Sequence, residues 1–156
     1  MNKNDIEIKV RGYHLDLYQH VNNARYLEFL EEARWAYFET VLIDGIFDAQ
    51  NLGFVVVNIN ISYRYPAYLN DTLIMHTTEK EIGKRKVILQ QLITNKANNK
   101  LIAEADVTFV IVDKSTGKSV DLSEDILQKV FPKKLIDFES PQSSLWVTLR
   151  ETLGLK

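Results

Sequence analysis

The stretch Asn22-Asn-Ala-Arg-Tyr-Leu-Glu-Phe-Leu-Glu-Glu-Ala-Arg-Trp-Ala-Tyr-Phe-Glu-Thr-Val41 decides the fold class of this chain. Tyr26, Phe29, Leu30, Ala33 and Tyr37 recur at helical spacing, while Arg25, Glu28, Glu32 and Glu39 fall largely on the opposite side. The segment therefore reads as one amphipathic helix with a broad apolar stripe. Asn22 or Asn23 can cap its start, because a short side-chain oxygen accepts an N–H group that the first turn leaves unpaired.

Strands surround this helix. Ile6 to Arg11 precedes it, and from Phe54 to Tyr65 the odd positions Val55, Val57, Ile59, Ile61, Tyr63 and Tyr65 are apolar or aromatic, against Asn58, Asn60, Ser62 and Arg64. That alternation predicts a long strand with one buried face. Thr72 to Ile82 follows the break at residues 66–71, and Lys86 to Thr94 follows the Gly83-Lys84-Arg85 connection. After Asn98-Asn99, a pair suited to the positive backbone angles of a hairpin turn, Leu101, Ala103, Ala105, Val107, Phe109 and Ile111 alternate with Glu104, Asp106 and Thr108. One substantial helix and five strands imply an α+β fold, an antiparallel sheet with the helix on its concave face. Ser123, Glu124 and Asp125 open a short helix that Pro132 stops.

Composition narrows the chemistry. The 156 residues suffice for one domain with its own core, and the absence of Cys excludes disulfides, thiol nucleophiles and Cys-ligated zinc. With 19 basic residues against 21 acidic ones, the chain lacks the positive footprint of a nucleic-acid binder. The polar start Met1-Asn-Lys-Asn-Asp-Ile-Glu and the lack of a long uncharged apolar run imply no stable membrane insertion and a cytoplasmic protein.

Functional side chains are densest in Arg11-Gly-Tyr-His-Leu-Asp-Leu-Tyr-Gln-His-Val-Asn-Asn23, between the first strand and the helix. A carboxylate, two imidazoles, two amides and the free N–H groups of a helix start suit acyl transfer. The amides can hold an oxyanion, and the carboxylate can attack a carbonyl or activate water. A thiolate leaves without a strong acid, since a thiol has a pKa of about 8.5. The residues leave a plainer reading open, with Asp16 capping a turn and the asparagines capping the helix. His14, Asp16 and His20 make a thin ligand set, so no metal is expected; His76, alternating with Ile74 and Thr78, reads as an ordinary sheet residue.

Asp16-Leu-Tyr-Gln-His20-Val21-Asn22-Asn23-Ala24-Arg25-Tyr26-Leu27, with Glu31-Glu-Ala-Arg34, Val55 to Ala67 and Asp71-Thr-Leu73, resembles the hot-dog-fold acyl-CoA thioesterases of the 4-hydroxybenzoyl-CoA thioesterase type. Within that type it is most like the bacterial long-chain acyl-CoA thioesterase III subgroup. The resemblance implies a hot-dog fold, a five-stranded antiparallel sheet wrapped around one long helix. It also implies hydrolysis of a medium- to long-chain fatty acyl-CoA to free acid and coenzyme A, which belongs to the substrate, with no separate cofactor. It places the catalytic carboxylate, nucleophile or general base, on Asp16 and the oxyanion donor on the Asn23 backbone N–H, with His20 and Asn22 in positioning roles. It further implies a homodimer formed by edge-to-edge sheets, or a tetramer of two such dimers, with the site at the dimer interface. Gln19 stands where relatives often carry Gly, so the turn is expected to be less free to take positive backbone angles. His14 also departs from the pattern.

Around that centre, Arg64, Lys84, Arg85 and Lys86 are the candidates for the phosphates of coenzyme A. Tyr26, Leu30, Trp35, Phe38, Phe54 and Val56 are candidates for the acyl slot, with Trp35 and Phe38 favoured because they lie off the helix stripe. Glu28, Glu31, Glu32 and Arg34 read as helix-surface charges. Two rival functions stay open: a hot-dog hydratase or dehydratase working through His14 or His20, and a non-catalytic acyl-thioester-binding module. The domain is expected to span residues 1–134, followed by a C-terminal extension, 135–156, that Pro141, Trp146 and Leu149 could pin to the body or to a neighbouring subunit.

Overall fold

The computed structural model describes residues 1–41, 45–83, 85–121, 123–125 and 127. The readings made for Lys84, for the end of the short helix at Pro132 and for the extension 135–156 lie outside the described residues. The elements run β1 (Ile6–Lys9), a 3-10 turn (Gly12–His14), α1 (Asn23–Val41), α2 (Ile46–Ala49), β2 (Leu52–Tyr63), β3 (Thr72–Ile82), β4 (Val87–Asn95) and β5 (Leu101–Asp113). The strands form one antiparallel sheet in the order β1-β3-β4-β5-β2, against which the long helix packs in the hot-dog manner. β1 meets β3 in the register Ile6 to Met75 and Lys9 to Thr72.

The chain divides into two compact units. The first holds residues 1–38, 60–78 and 90–106; the second holds 39–59, 79–89 and the described residues from 107 onward. In the first unit the predicted helix stripe is buried, Tyr26, Phe29, Leu30, Ala33 and Tyr37 all within it, beside Leu73, Met75, Ile93 and Ile102. Each large apolar side chain so removed from water contributes about 1.5–3 kcal/mol, which is why a stripe of weak helix formers such as Tyr and Phe holds a helix here. In the second unit Phe54 stacks between Phe47 and Phe109, at 4.4 and 4.5 Å between ring centroids. β4 alternates strictly between buried and half-buried residues, as its period-two pattern predicts.

Three readings need correction. β2 forms, but the expected buried face does not run its length: Ile59 and Ile61 are half-buried, whereas Val55 and Val57 are 42% and 55% exposed and Tyr63 and Tyr65 are also open. β2 is an outermost strand of the sheet, so it lacks one neighbour, and its alternation describes a layer that the described residues of one chain do not supply. Arg34 is not a surface charge. It is only 8% exposed and its Nη1 donates to Gln91 Oε1 at 3.0 Å. Of the Asn98-Asn99 pair, Asn99 alone takes a positive φ, 58°. The four-residue helix α2 was too short to leave a period in the sequence.

Candidate active site

The site is built within the first unit. Where β1 ends, the Val10 N–H donates to Asp71 O at 2.8 Å and the Asn70 N–H to Val10 O at 3.0 Å, tying the incoming chain to the loop before β3. The 3-10 turn then folds His14 inward. Its Nδ1 accepts the Arg11 N–H at 2.9 Å, its ring lies edge-on to Tyr13 and Phe29, and burial pushes its pKa below the ordinary value, with nearby Arg25 adding to the effect. His14 thus spends its Nδ1 as a structural acceptor. Its carbonyl takes the Asn22 N–H at 2.8 Å and so fixes the distance between this turn and the start of α1.

Between those two points the chain makes a tight loop. The Asp16 N–H donates to His20 O at 2.8 Å and the Gln19 N–H to Asp16 O at 3.1 Å. Closing this loop requires a left-handed residue, and Gln19 supplies it at φ 62°. Gln in place of Gly takes such an angle less freely, and Gln19 adopts it even so: the two backbone bonds hold it there, against a cost of roughly 1–2 kcal/mol for a side chain with a Cβ. Asp16 Oδ1 accepts the Tyr18 N–H at 2.8 Å and the His20 N–H at 3.3 Å. This is the turn-capping role that the plainer reading gave it, and it consumes one carboxylate oxygen only. Among the described residues no donor takes Oδ2.

The helix start completes the arrangement. Asn22 Oδ1 accepts the Ala24 N–H at 2.9 Å, which makes Asn22 the cap. Among the described residues no acceptor takes the Asn23 N–H, which opens α1 at the end where the helix dipole is positive. The Asn23 carbonyl accepts the Tyr63 hydroxyl at 3.0 Å, joining the helix start to the end of β2. A cleft of about 410 Å³ lies here, with Asp16, His20, Asn22 and Asn23 on one wall and Tyr63 and Arg64 on the other. The His20 ring packs edge-on against Tyr68, centroids 5.0 Å apart. Arg64 Nη2 pairs with Glu104 Oε1 at 2.5 Å, so its charge is partly neutralised before any ligand arrives. Tyr26 closes the floor. Burial pushes its hydroxyl up to about 12, so it stays protonated.

Six of the sequence candidates thus share one cleft: Asp16, His20, Asn22, Asn23, Tyr26 and Arg64. The other described candidates do not line it. Arg85 pairs with Asp121 at 2.8 Å and Lys86 stands 3.9 Å from Glu81 in the second unit, where Phe54 also lies. Trp35 is 61% exposed, and Phe38 packs beside Tyr37. Tyr63, Tyr65 and Pro66 were missed as site residues. Their signal was a Tyr-Arg-Tyr-Pro run in which strand alternation accounted for the rings but not for the hydroxyls. Among the described residues no three His, Asp or Glu side chains converge as a metal site.

A half-free carboxylate lies beside the open start of a long helix, and that helix packs on a curled five-stranded antiparallel sheet, which defines a hot-dog protein. Residues 10–130 match the family model of the thioesterase-like superfamily, and the chain belongs to that superfamily. The long-chain acyl-CoA thioesterase FadM of Escherichia coli (strain K12) is 48% identical over 124 residues, covering 80% of this chain and 94% of the relative. The crystal structure of YbaW, a probable thioesterase from Escherichia coli, superposes with a TM-score of 0.76 at 48% identity, covering 80% of this chain and 94% of that one. A thioesterase from Thermus thermophilus, solved with coenzyme A and Zn, is 26% identical with a TM-score of 0.67, over 80% and 94% of the two chains. Among the described residues no helix is long and apolar enough to cross a membrane.

Proposed function

We propose that this chain hydrolyses a medium- to long-chain fatty acyl-CoA to the free acid and coenzyme A, with Asp16 and the Asn23 N–H as its catalytic groups. The observation that carries the reading is their pairing in one cleft: a carboxylate oxygen without a donor beside an N–H without an acceptor. The similarity to a long-chain acyl-CoA thioesterase supports the substrate class. The thioester carbonyl accepts the Asn23 N–H, and the tetrahedral oxyanion is stabilised there by the helix start. Asp16 Oδ2 either takes a proton from the attacking water or attacks the carbonyl carbon itself. In both routes the C–S bond breaks, the thiolate leaves, and water supplies the proton that the thiol regains. In direct attack the water oxygen enters the acid, whereas in the covalent route water opens the anhydride at the Asp16 carbonyl, so an Asp16 oxygen leaves with the acid and the water oxygen stays in Asp16. The reaction so drawn uses no cofactor. Asn22 caps the helix that presents the amide, and His20 holds the turn that presents the carboxylate. A hydratase would work through an imidazole, and the Nδ1 of His14 is already taken by the Arg11 N–H.

The test is a panel of acyl-CoA esters of increasing chain length, with free thiol as the readout and Asp16→Asn as the control. Thiol release that peaks at medium to long chains and disappears in the variant supports the proposal; binding without thiol release overturns it. A single turnover in ¹⁸O-water separates the two routes, because only carboxylate attack leaves label in Asp16.

The working form in this proposal is a homodimer built on the β2 edge, with two dimers able to pair further. Its support is the run Val55, Val56 and Val57, exposed on an outermost strand. Val56→Lys is expected to shift the sedimenting species to half the wild-type mass. Coenzyme A carries several phosphate charges and does not cross membranes, so the reaction is placed in the cytoplasm.

A further inference from the structure

A second cleft of about 280 Å³ lies in the same unit and shares Tyr65 and Pro66 with the first. Its other walls are the β4–β5 hairpin, through Asn95, Asn98, Lys100 and Ile102, and the loop before β3, through Tyr68 and Asp71. Asn95 is the informative residue. It is only 6% exposed, and its Oδ1 accepts the Ala97 N–H at 2.9 Å, which fixes the amide's orientation. Among the described residues nothing accepts from its Nδ2, and no buried side-chain nitrogen or oxygen is left wholly enclosed without a partner, so this group opens into the cleft.

A hydrogen-bond donor nine-tenths buried and unspent is costly unless something fills its lone direction. Across the cleft the Asp71 carboxylate has Oδ2 engaged by the Tyr68 N–H at 2.9 Å, leaving acceptor capacity on the other oxygen. A donor and an acceptor in one cleft that Pro66, Ile102 and two Tyr rings also line are complementary to a secondary amide on an alkyl chain. At the rim, Lys100 Nζ sits 4.9 Å from the centroid of the Tyr65 ring, and no described carboxylate pairs with it. An amide-bearing chain entering from the first cleft, with a phosphate at its far end, matches this sequence of groups.

From this arrangement we infer that the second cleft is the subsite for the carrier arm of the thioester, Asn95 Nδ2 donating to an arm carbonyl and Lys100 meeting the first phosphate beyond it. The inference rests on the proposed hydrolysis, because the first cleft must hold the sulfur for the arm to start at Tyr65 and Pro66. It differs from the expectation that Arg64, Lys84, Arg85 and Lys86 meet the phosphates of coenzyme A.

The experiment compares three esters of one acyl group: coenzyme A, with amides and phosphates; pantetheine, with amides alone; and 2-mercaptoethanol, with neither. Asn95→Asp keeps the oxygen that caps the hairpin and replaces only the donor. It is expected to lower the kcat/KM ratio of the coenzyme A and pantetheine esters to the mercaptoethanol ester by about tenfold, the size of one lost hydrogen bond. Lys100→Gln is expected to lower only the ratio of the coenzyme A ester to the pantetheine ester, and the more so at low salt. Equal effects on all three esters, or none, overturn the subsite. Binding of coenzyme A itself, followed by calorimetry, separates this inference from the reaction. Coenzyme A binding weakened by both substitutions in a protein that hydrolyses nothing keeps the subsite and removes the hydrolysis. Hydrolysis with coenzyme A binding indifferent to both does the reverse, and neither hydrolysis nor binding overturns both.

Discussion

At its amino-terminal end helix α1 borders polar groups that are only half engaged; near its middle it borders Gln91, whose amide oxygen and nitrogen are both engaged. Asp16 uses one carboxylate oxygen to hold its own turn, and the Asn23 carbonyl is bonded while its N–H is not. Deeper in the same unit, Gln91 is completely buried. Its Oε1 accepts from Arg34 Nη1 at 3.0 Å, and its Nε2 donates to the Leu30 carbonyl at 3.0 Å and to Thr77 Oγ1 at 2.9 Å. Burial holds the Arg34 guanidinium below its ordinary pKa, a pull that Glu31 opposes. Residue type does not separate these clusters, since both mix charge, amide and carbonyl. What separates them is unspent bonding capacity, present where a cleft admits a ligand and absent where a core does not.

Substitutions test that contrast. The largest effect is expected from Asp16→Asn, which should lower kcat by roughly 1000-fold, within the range for a lost acid–base or nucleophilic group, while the melting temperature moves little. An unaltered kcat would remove Asp16 from the chemistry. Gln91→Leu should act the other way round. It strands a buried guanidinium and so costs about 3 kcal/mol in chemical denaturation, with kcat per folded molecule within tenfold of wild type. A fully stable Gln91→Leu protein would show that the buried cluster is not structural.

His14, in the turn before the loop, offers a pH test. His14 has a folded pKa below 6.5, so the unfolded chain binds its proton first as pH falls. Its contribution to stability is complete above the unfolded value of 6.5 and is lost as pH falls through the lowered folded value. The wild-type denaturation midpoint should therefore decline below pH 6.5, and His14→Asn should flatten that decline. The smallest effect is expected at Gln19. Replacement by Gly relieves the left-handed strain but adds freedom to the unfolded chain, for a net gain of up to about 1 kcal/mol. A loss of stability on that change would mean the Gln19 side chain does something the backbone account omits.

Much of the fold was legible because it follows from local periodicity. The stripe from Tyr26 to Tyr37 and the alternation in β3, β4 and β5 record which face each element buries, and burial is what selects those residues. The start of the site was legible for the same reason. Asp16, Asn22 and Asn23 lie close together along the chain, and a turn followed by a capped helix is a local structure. β2 marks the limit: its alternating valines and tyrosines register a face to be covered, but not by what. Arg34 marks another, since its helix position looks exposed until Gln91, 57 residues away, supplies the acceptor that lets it be buried.

The sequence by itself determined the helix, the five strands, the carboxylate beside the helix start and the absence of thiol chemistry, because each depends on residue type and short-range spacing. Only the tertiary structure decided that Tyr63 and Arg64 form the facing wall of the cleft and that Asn95 keeps a buried donor open to a second one. It likewise decided that Gln19 must hold a backbone angle Gly would take more easily. Those facts arise where distant segments meet and hydrogen-bonding capacity is shared out among them. That sharing is a three-dimensional sum which no local pattern of residues records.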